Sequence, residues 1–345
     1  ALFIAMLILF SSSESLLFTD IQQQEIPDLA VAFLLLGFGI KLALPGLHPW
    51  LPLTYTAAPL ISVAVLSGPM MKAGLLGWIR FLPPGAENLQ TWGGVLIWLG
   101  VAGLLLGSIL ALLQYRASAI LAYSSIAKMG LACSLFGYSL AHPEQADNVI
   151  TALVLFAMHH LLVNSALFIG LYDYQQRHRT WIFYGLVMLS LSLIGLPFSG
   201  GAGAKSALDL ATDGDLGLLL MLSGFTTALM MIHFLWTVKV DFTRGPGLEL
   251  SSSRLNANLA WWFLLPFAWF GPFLPGTIAF DSKSILLILS AAALFLYIRR
   301  NWRRPARQGL VFQHGDVYHL DKHIRLSNTV IVKRKHSFPA MITWP

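Results

Sequence analysis

Cysteine is almost missing from this chain: Cys133 is the single one among 345 residues. It lies within an apolar run, so neither a disulfide framework nor a cysteine-based metal centre is available. Charge is scarce as well, at 11% of residues, where a soluble domain carries about 25%. That excludes a surface wetted on all sides. Nucleotide and metal signatures are lacking too, with no HExxH, no carboxylate-rich cluster and no Rossmann glycine pattern. The stretch "GGAGAKS" at 200–206 places a lysine after glycines, but without the GxxxxGK[ST] spacing of a phosphate loop and inside an apolar span. No cofactor and no metal is therefore expected, and no catalytic role for the chain itself; its energy source is an ion gradient or a partner.

What remains is hydrophobic: 56% of residues, with a mean hydropathy of +0.69. A bilayer core of about 30 Å takes about 20 apolar residues per helix. On that measure the candidate spans are 1–18, 29–54, 59–81, 93–115, 118–140, 148–172, 180–212, 216–239, 258–274 and 283–299. This predicts an all-α polytopic membrane protein of about ten transmembrane helices. Two spans should be broken at membrane depth. The run 29–54 holds Pro45, Pro49 and Pro52, and 180–212 holds "GLPFSGGAGAKSALDL". Proline removes a backbone donor, and the freed carbonyls are tolerated in a membrane only where protein or water satisfies them. Both breaks point to an internal polar path. The chain opens on Ala1 with "ALFIAMLILF", which reads as a truncated span and not as a signal peptide.

The net charge of +6 is unevenly placed. From Arg299 onward there are ten Lys/Arg and two acids, a balance of +8, while residues 1–298 hold 12 against 14, a balance of −2. The basic tail directly follows an apolar span, as a membrane-flanking anchor does, so nucleic acid is not an expected partner. Arg116, the Arg177–Arg179 cluster, Lys239, Arg244 and the tail fall at alternate helix ends, which the positive-inside rule assigns to the cytoplasm. Residues 300–345 form a basic cytoplasmic docking tail on this reading, and the expected location is a bacterial inner (plasma) membrane in contact with lipid.

Within the spans sit ionisable residues: Lys41, Lys72, Lys128, His160 and Lys205. A lysine at the centre of a membrane helix costs about 2.5–3.5 kcal/mol on insertion scales, so such residues usually face a cavity and act. Desolvated lysine and histidine can take and release protons near neutrality, which makes the series a relay. Lys72 near its span's end also reads as a snorkelling group, and Lys128 as one half of a structural pair. His159, His233 and Asp209 are additional relay candidates, Asp209 because it lies one turn after Lys205 and can pair with it.

Four ordered stretches carry a resemblance: "GFGIKLALPGLHPWLPLTYTAAPLISVAVLSGPMMKAGLLGWIRF", "ILAYSSIAKMG", "MHHLLVNSALFIG" and "IGLPFSGGAGAKS". Together they resemble the proton-conducting antiporter family, which includes the antiporter-like membrane subunits of respiratory complex I, the membrane-bound hydrogenases and the Mrp-type multisubunit sodium/proton antiporters. The tail's "HGDVYHL" is similar to D-like Mrp subunits. The resemblance implies an inverted-repeat antiporter fold, with a partial first repeat at 1–81, a second repeat at 93–240, C-terminal transmembrane helices at 258–299 and the tail.

By position, the resemblance makes Lys41 the lysine of the first broken helix, Lys72 that of the next, His160 the connecting histidine, and Lys205 the lysine or glutamate of the second broken helix. Departures accompany it. Leu53, Tyr55 and Ala57 stand where the family usually has acid, histidine and glutamate, and residues 116–119 read "RASA" where "DxKR" is usual. Lys128 occupies a position more often Gln or His. The glutamate that partners the first lysine is expected upstream of residue 1, leaving the first repeat incomplete, and Glu14 lies in the wrong helix to replace it.

The function implied is proton translocation within a multisubunit complex, as cation (sodium)/proton antiport, with hydrophobic subunits as partners. Two other readings stand beside it: a proton-pumping subunit of a redox complex such as an NADH:quinone oxidoreductase or hydrogenase, and a non-conducting scaffold.

Overall fold

The structure, a computed structural model, describes residues 1–13, 26–242, 254–270 and 282–301. The basic tail and Glu14 lie outside the described residues. The described residues fold into helices: α1 (Leu2–Ser13), α2 (Asp28–Leu42), α3 (Trp50–Ala57), α4 (Leu60–Val65), α5 (Met71–Phe81), α6 (Glu87–Leu112), α7 (Ala117–Ala141), α8 (Ala146–Arg177), α9 (Thr180–Ile194), α10 (Gly200–Ala211), α11 (Gly217–Phe242), α12 (Arg254–Phe270) and α13 (Ser282–Asn301). Among them, five helical stretches are long and apolar enough to cross a membrane: Leu60–Phe81, Glu87–Leu112, Ala117–Ala141, Pro143–Arg177 and Gly217–Val240. Of the ten apolar runs, 29–54 and 180–212 are divided by breaks into shorter helices, while 1–18 and 258–274 extend beyond the described residues.

The two expected breaks are present. α2 ends at Leu42, with Ala43 in the left-handed region (φ 54°), and the prolines that follow delay the next helix to Trp50. α9 ends at Ile194, where Gly195 takes φ +91°, a conformation that costs glycine little. α10 restarts behind Ser199, whose hydroxyl accepts from the Ala202 amide at 3.4 Å. A third irregularity was not expected from sequence. Between α4 and α5, residues Leu66–Met70 form a π-helical turn around Pro69. Pro69 has no N–H to give to the preceding turn, and a wider turn accommodates the gap.

At the centre stands α7, buried along nearly its whole length. Its sequence is rich in Ala, Ser and Gly, and α6 meets it through glycines spaced seven residues apart. A Cβ added at Gly93 would lie 2.6 Å from the Gly137 carbonyl, and one at Gly107 would lie 2.8 Å from the Tyr123 carbonyl. Gly100 sits against Gly130 and Ser134 in the same manner. Lipid offers no hydrophobic drive between helices, so close backbone approach through small residues and interhelical hydrogen bonds hold such a pair. Ser134 donates to the Ile97 carbonyl at 2.9 Å, and the Cys133 thiol to the Leu96 carbonyl at 3.4 Å.

One side chain of α12 docks deeply against both α8 and α9. Gly170 and Gly185 leave the room that the Trp261 indole fills, and Trp261 Nε1 donates to the Ala166 carbonyl at 3.0 Å. These packings bring α5, α7, α8 and α10 around one buried region.

Candidate functional site

Four helix interruptions supply the backbone acceptors of this region. Lys72 begins α5 just after the π-helical turn and is buried, and its ammonium donates to the Ser67 carbonyl at 2.7 Å. The side chain therefore turns back into the protein, so the snorkelling reading does not describe Lys72. At the second break, the Lys205 ammonium donates to the carbonyl of Ile194, the last residue of α9. His159 reaches Ser192 Oγ at 3.0 Å, and Ser192 in turn donates to the Ala268 carbonyl in the last turn of α12 at 3.3 Å. The Ser192 hydroxyl thus stands between the His159 ring and the Ala268 carbonyl, with donor and acceptor at the ring set by the histidine's tautomer. Finally, His233 Nε2 contacts the Gln114 carbonyl at 2.7 Å, just beyond α6. Backbone carbonyls near helix ends and turns are strong acceptors at membrane depth, and here side chains reach four of them.

Between Lys72 and Lys205 lies a group without such anchoring. His160 is fully buried, and neither ring nitrogen has a hydrogen-bond partner. Its ring is stacked on Phe156, one turn back on α8, at 6.5 Å between centroids and 12° between planes. The ammonium of Lys128, itself 1% exposed, stands 5.7 Å from the centroid of the same Phe156 ring. One turn along from this pair, Asn164 donates to Ser125 Oγ at 3.0 Å, linking α8 to α7 again.

The bases stand on adjoining helices: Lys72 on α5, Lys128 on α7 and His159 and His160 on α8 are buried, and Lys205 on α10 is half-buried. Among the described residues, no carboxylate forms an ion pair with Lys72 or Lys128; His142 pairs with Glu144 and Asp173 with Arg177, at helix ends.

The sequence-derived residues divide accordingly. Lys72, Lys128, His159, His160 and Lys205 come together. Lys41 does not join them. It is exposed, at the last turn of α2, and its Cβ faces Gly74 on α5. The expectation that it is buried is corrected: Lys41 lies on a face of α2 that the described residues leave open. Asp209 is also exposed, and its carboxylate oxygen lies 3.7 Å from where a Cβ on Gly217 would stand, at the start of α11. His233 is buried apart from the line, with its ring 6.1 Å from Phe295.

Residues that the sequence reading missed are Ser67, Asn164 and Ser192, together with Gly195 and Gly224 around Lys205. Asn164 follows His160 by four residues and so shares its helix face, a signal that was available. The role of the Ser67 carbonyl was not, because it arises from the π-helical turn.

Comparison with known proteins follows this geometry. A family model described as the NADH:quinone oxidoreductase/Mrp antiporter transmembrane region matches residues 1–230. Hydrogenase-4 component B of Escherichia coli (strain K12) is 34% identical over 176 residues, covering 49% of this chain and 26% of that protein. A protein named antiporter subunit mnhA2, from Staphylococcus aureus (strain MRSA252), is 29% identical over 275 residues, covering 68% of this chain and 33% of its own length. The chain therefore spans between a quarter and a third of these relatives. Among solved structures, the Mrp complex from Dietzia sp. DQ12-45-1b superposes with a TM-score of 0.63 at 17% identity, over 86% of this chain and 66% of that one. That likeness is one of fold.

Proposed function

Because the chain belongs to the NADH:quinone oxidoreductase/Mrp antiporter transmembrane family, we propose that it translocates protons as an antiporter-like subunit of a multisubunit membrane complex, exchanging them for a cation such as sodium. The observation that carries this reading is a line of bases on adjoining helices: Lys72 on α5, His160 and His159 on α8, Lys128 on α7 and Lys205 on α10, the first four of them buried, with Lys128 and His160 meeting on the one Phe156 ring. Each group in it is a base that can hold one proton, and each feels its neighbour's charge. A proton arriving at Lys72 disfavours protonation at His160 and Lys128, and a proton leaving Lys205 favours it. Water and hydroxyl groups complete the transfers. Lys41, on the exposed side of the first break, serves as the group that exchanges protons with whatever covers that face. The division into a partial first repeat at 1–81 and a second repeat at 93–240, the inner-membrane location and the cytoplasmic basic tail belong to the same proposal.

The test is cation-induced dissipation of a pH gradient in everted membrane vesicles that contain the intact complex. Lys72→Ala and Lys205→Ala should each abolish the response while the complex still assembles. Normal exchange in both variants would overturn the reading and leave a scaffold role.

A second reading, a proton-pumping subunit driven by redox chemistry in neighbouring chains, is favoured by the 34% identity to hydrogenase-4 component B. Mass spectrometry of the intact complex separates the two. Iron–sulfur chains among the co-purifying subunits support the redox reading, and only small hydrophobic subunits support the antiporter.

A further inference from the structure

Lys205 lies in a slot cut by two glycines. A Cβ on Gly195, at the end of α9, would lie 3.0 Å from Lys205 Cδ and 3.1 Å from its Nζ; a Cβ on Gly224, in α11, would lie 2.9 Å from the same Nζ. The ammonium therefore reaches the Ile194 carbonyl only because both walls lack a side chain. Gly195 has a second reason to be glycine, its φ of +91°. Gly224 has none. It lies inside a regular helix, where glycine costs about 1 kcal/mol relative to alanine. Its Cβ would meet one other atom closely, Leu287 Cδ1 on α13, at 3.2 Å.

We infer that Gly224 is a positioning residue for Lys205: it keeps open the space in which the ammonium sits on the Ile194 carbonyl, on the side of the slot away from α9. This rests on the relay reading above and adds to it a residue that never titrates. An alanine methyl at 224 would push a flexible side-chain end aside at little cost in folding, but it would move the ammonium relative to its acceptor and to the neighbouring bases Lys128 and His159. Displacing a reacting group by about 1 Å can cost on the order of 100-fold in rate.

The test uses the full complex in everted vesicles, measuring cation/proton exchange across a range of pH, with assembly followed by native electrophoresis. Gly224→Ala should assemble, lose at least about tenfold in exchange rate, and shift the pH dependence of what remains. The double variant Gly224→Ala/Leu287→Ala, which clears the other neighbour of the added methyl, should stay as slow as the single one. A wild-type rate and pH profile in Gly224→Ala overturns the proposal. So does recovery in the double variant, since packing against α13 is then the cause, and so does loss of assembly in both variants. Lys205→Ala is run alongside: if it transports normally, the relay reading itself fails, whereas an inactive Lys205→Ala beside a normal Gly224→Ala removes the slot alone.

Discussion

Lys128 and His160 share one aromatic ring: the lysine ammonium lies over Phe156, and the imidazole is stacked beside it on the same helix. Phe156 thus stands as an apolar partition where two bases come together without bonding to each other. A cation near an aromatic ring gains about 2 kcal/mol when desolvated, which is modest beside the cost of taking an ammonium out of water.

Lys128→Met follows from this imbalance. Replacing a buried charged group by an apolar one of similar volume is often stabilising, by about 1–4 kcal/mol where ion pairs have been replaced. The variant complex should unfold at a higher temperature than the parent and exchange protons at least about tenfold more slowly. Calorimetry and vesicle transport on the same preparation check both halves; a drop in both would make Lys128 a structural residue.

Pro69→Ala tests the π-helical turn. A proline inside a helix costs about 3 kcal/mol, so alanine should let Leu66–Met70 close into regular helix and raise stability by up to about that amount. The new N–H at 69 would pair with the Val65 carbonyl, and tightening of the turn would move the Ser67 carbonyl away from Lys72. Transport should fall although the protein is firmer, and equal transport would show that the turn serves packing only.

Ser192→Ala removes the hydroxyl between His159 and the Ala268 carbonyl. Leaving buried partners unsatisfied costs about 1–3 kcal/mol each. Thermal unfolding should drop accordingly, and Ser192→Thr should restore much of it. Failure of the threonine variant to do so would mean that shape, not hydrogen bonding, governs this site.

Trp261→Ala empties the space between Gly170 and Gly185 and removes the bond to the Ala166 carbonyl. Truncating a buried tryptophan costs about 3–5 kcal/mol. α12 should become susceptible to limited proteolysis while α6 and α7 stay resistant. Unchanged digestion would show that α12 is held by other contacts.

Both proline- and glycine-marked breaks were legible in the sequence, because those residues act on their own backbone wherever they stand. The buried positions of Lys72, Lys128, His159 and His160 were legible for a related reason: a charged residue in a long apolar run has few places to go. Lys41 fits the same pattern yet is exposed, because which face of α2 packs inward is set by its neighbours and not by the run itself. The π-helical turn escaped notice because Pro69 in an apolar helix is equally compatible with a kink.

The close fit of α6 on α7 limits how this protein can move. Its tightest approaches recur every seven residues, at Gly93, Gly100 and Gly107. Sliding one helix past the other by a single turn, about 5.4 Å, would bring Leu89, Leu96 and Leu104 toward the levels the glycines occupy, where backbones already touch. The pair behaves as a fixed axle and not as a piston. Motion is left to side chains and to the interrupted helices around it, so any rearrangement in the described residues turns on the breaks and not on this pair.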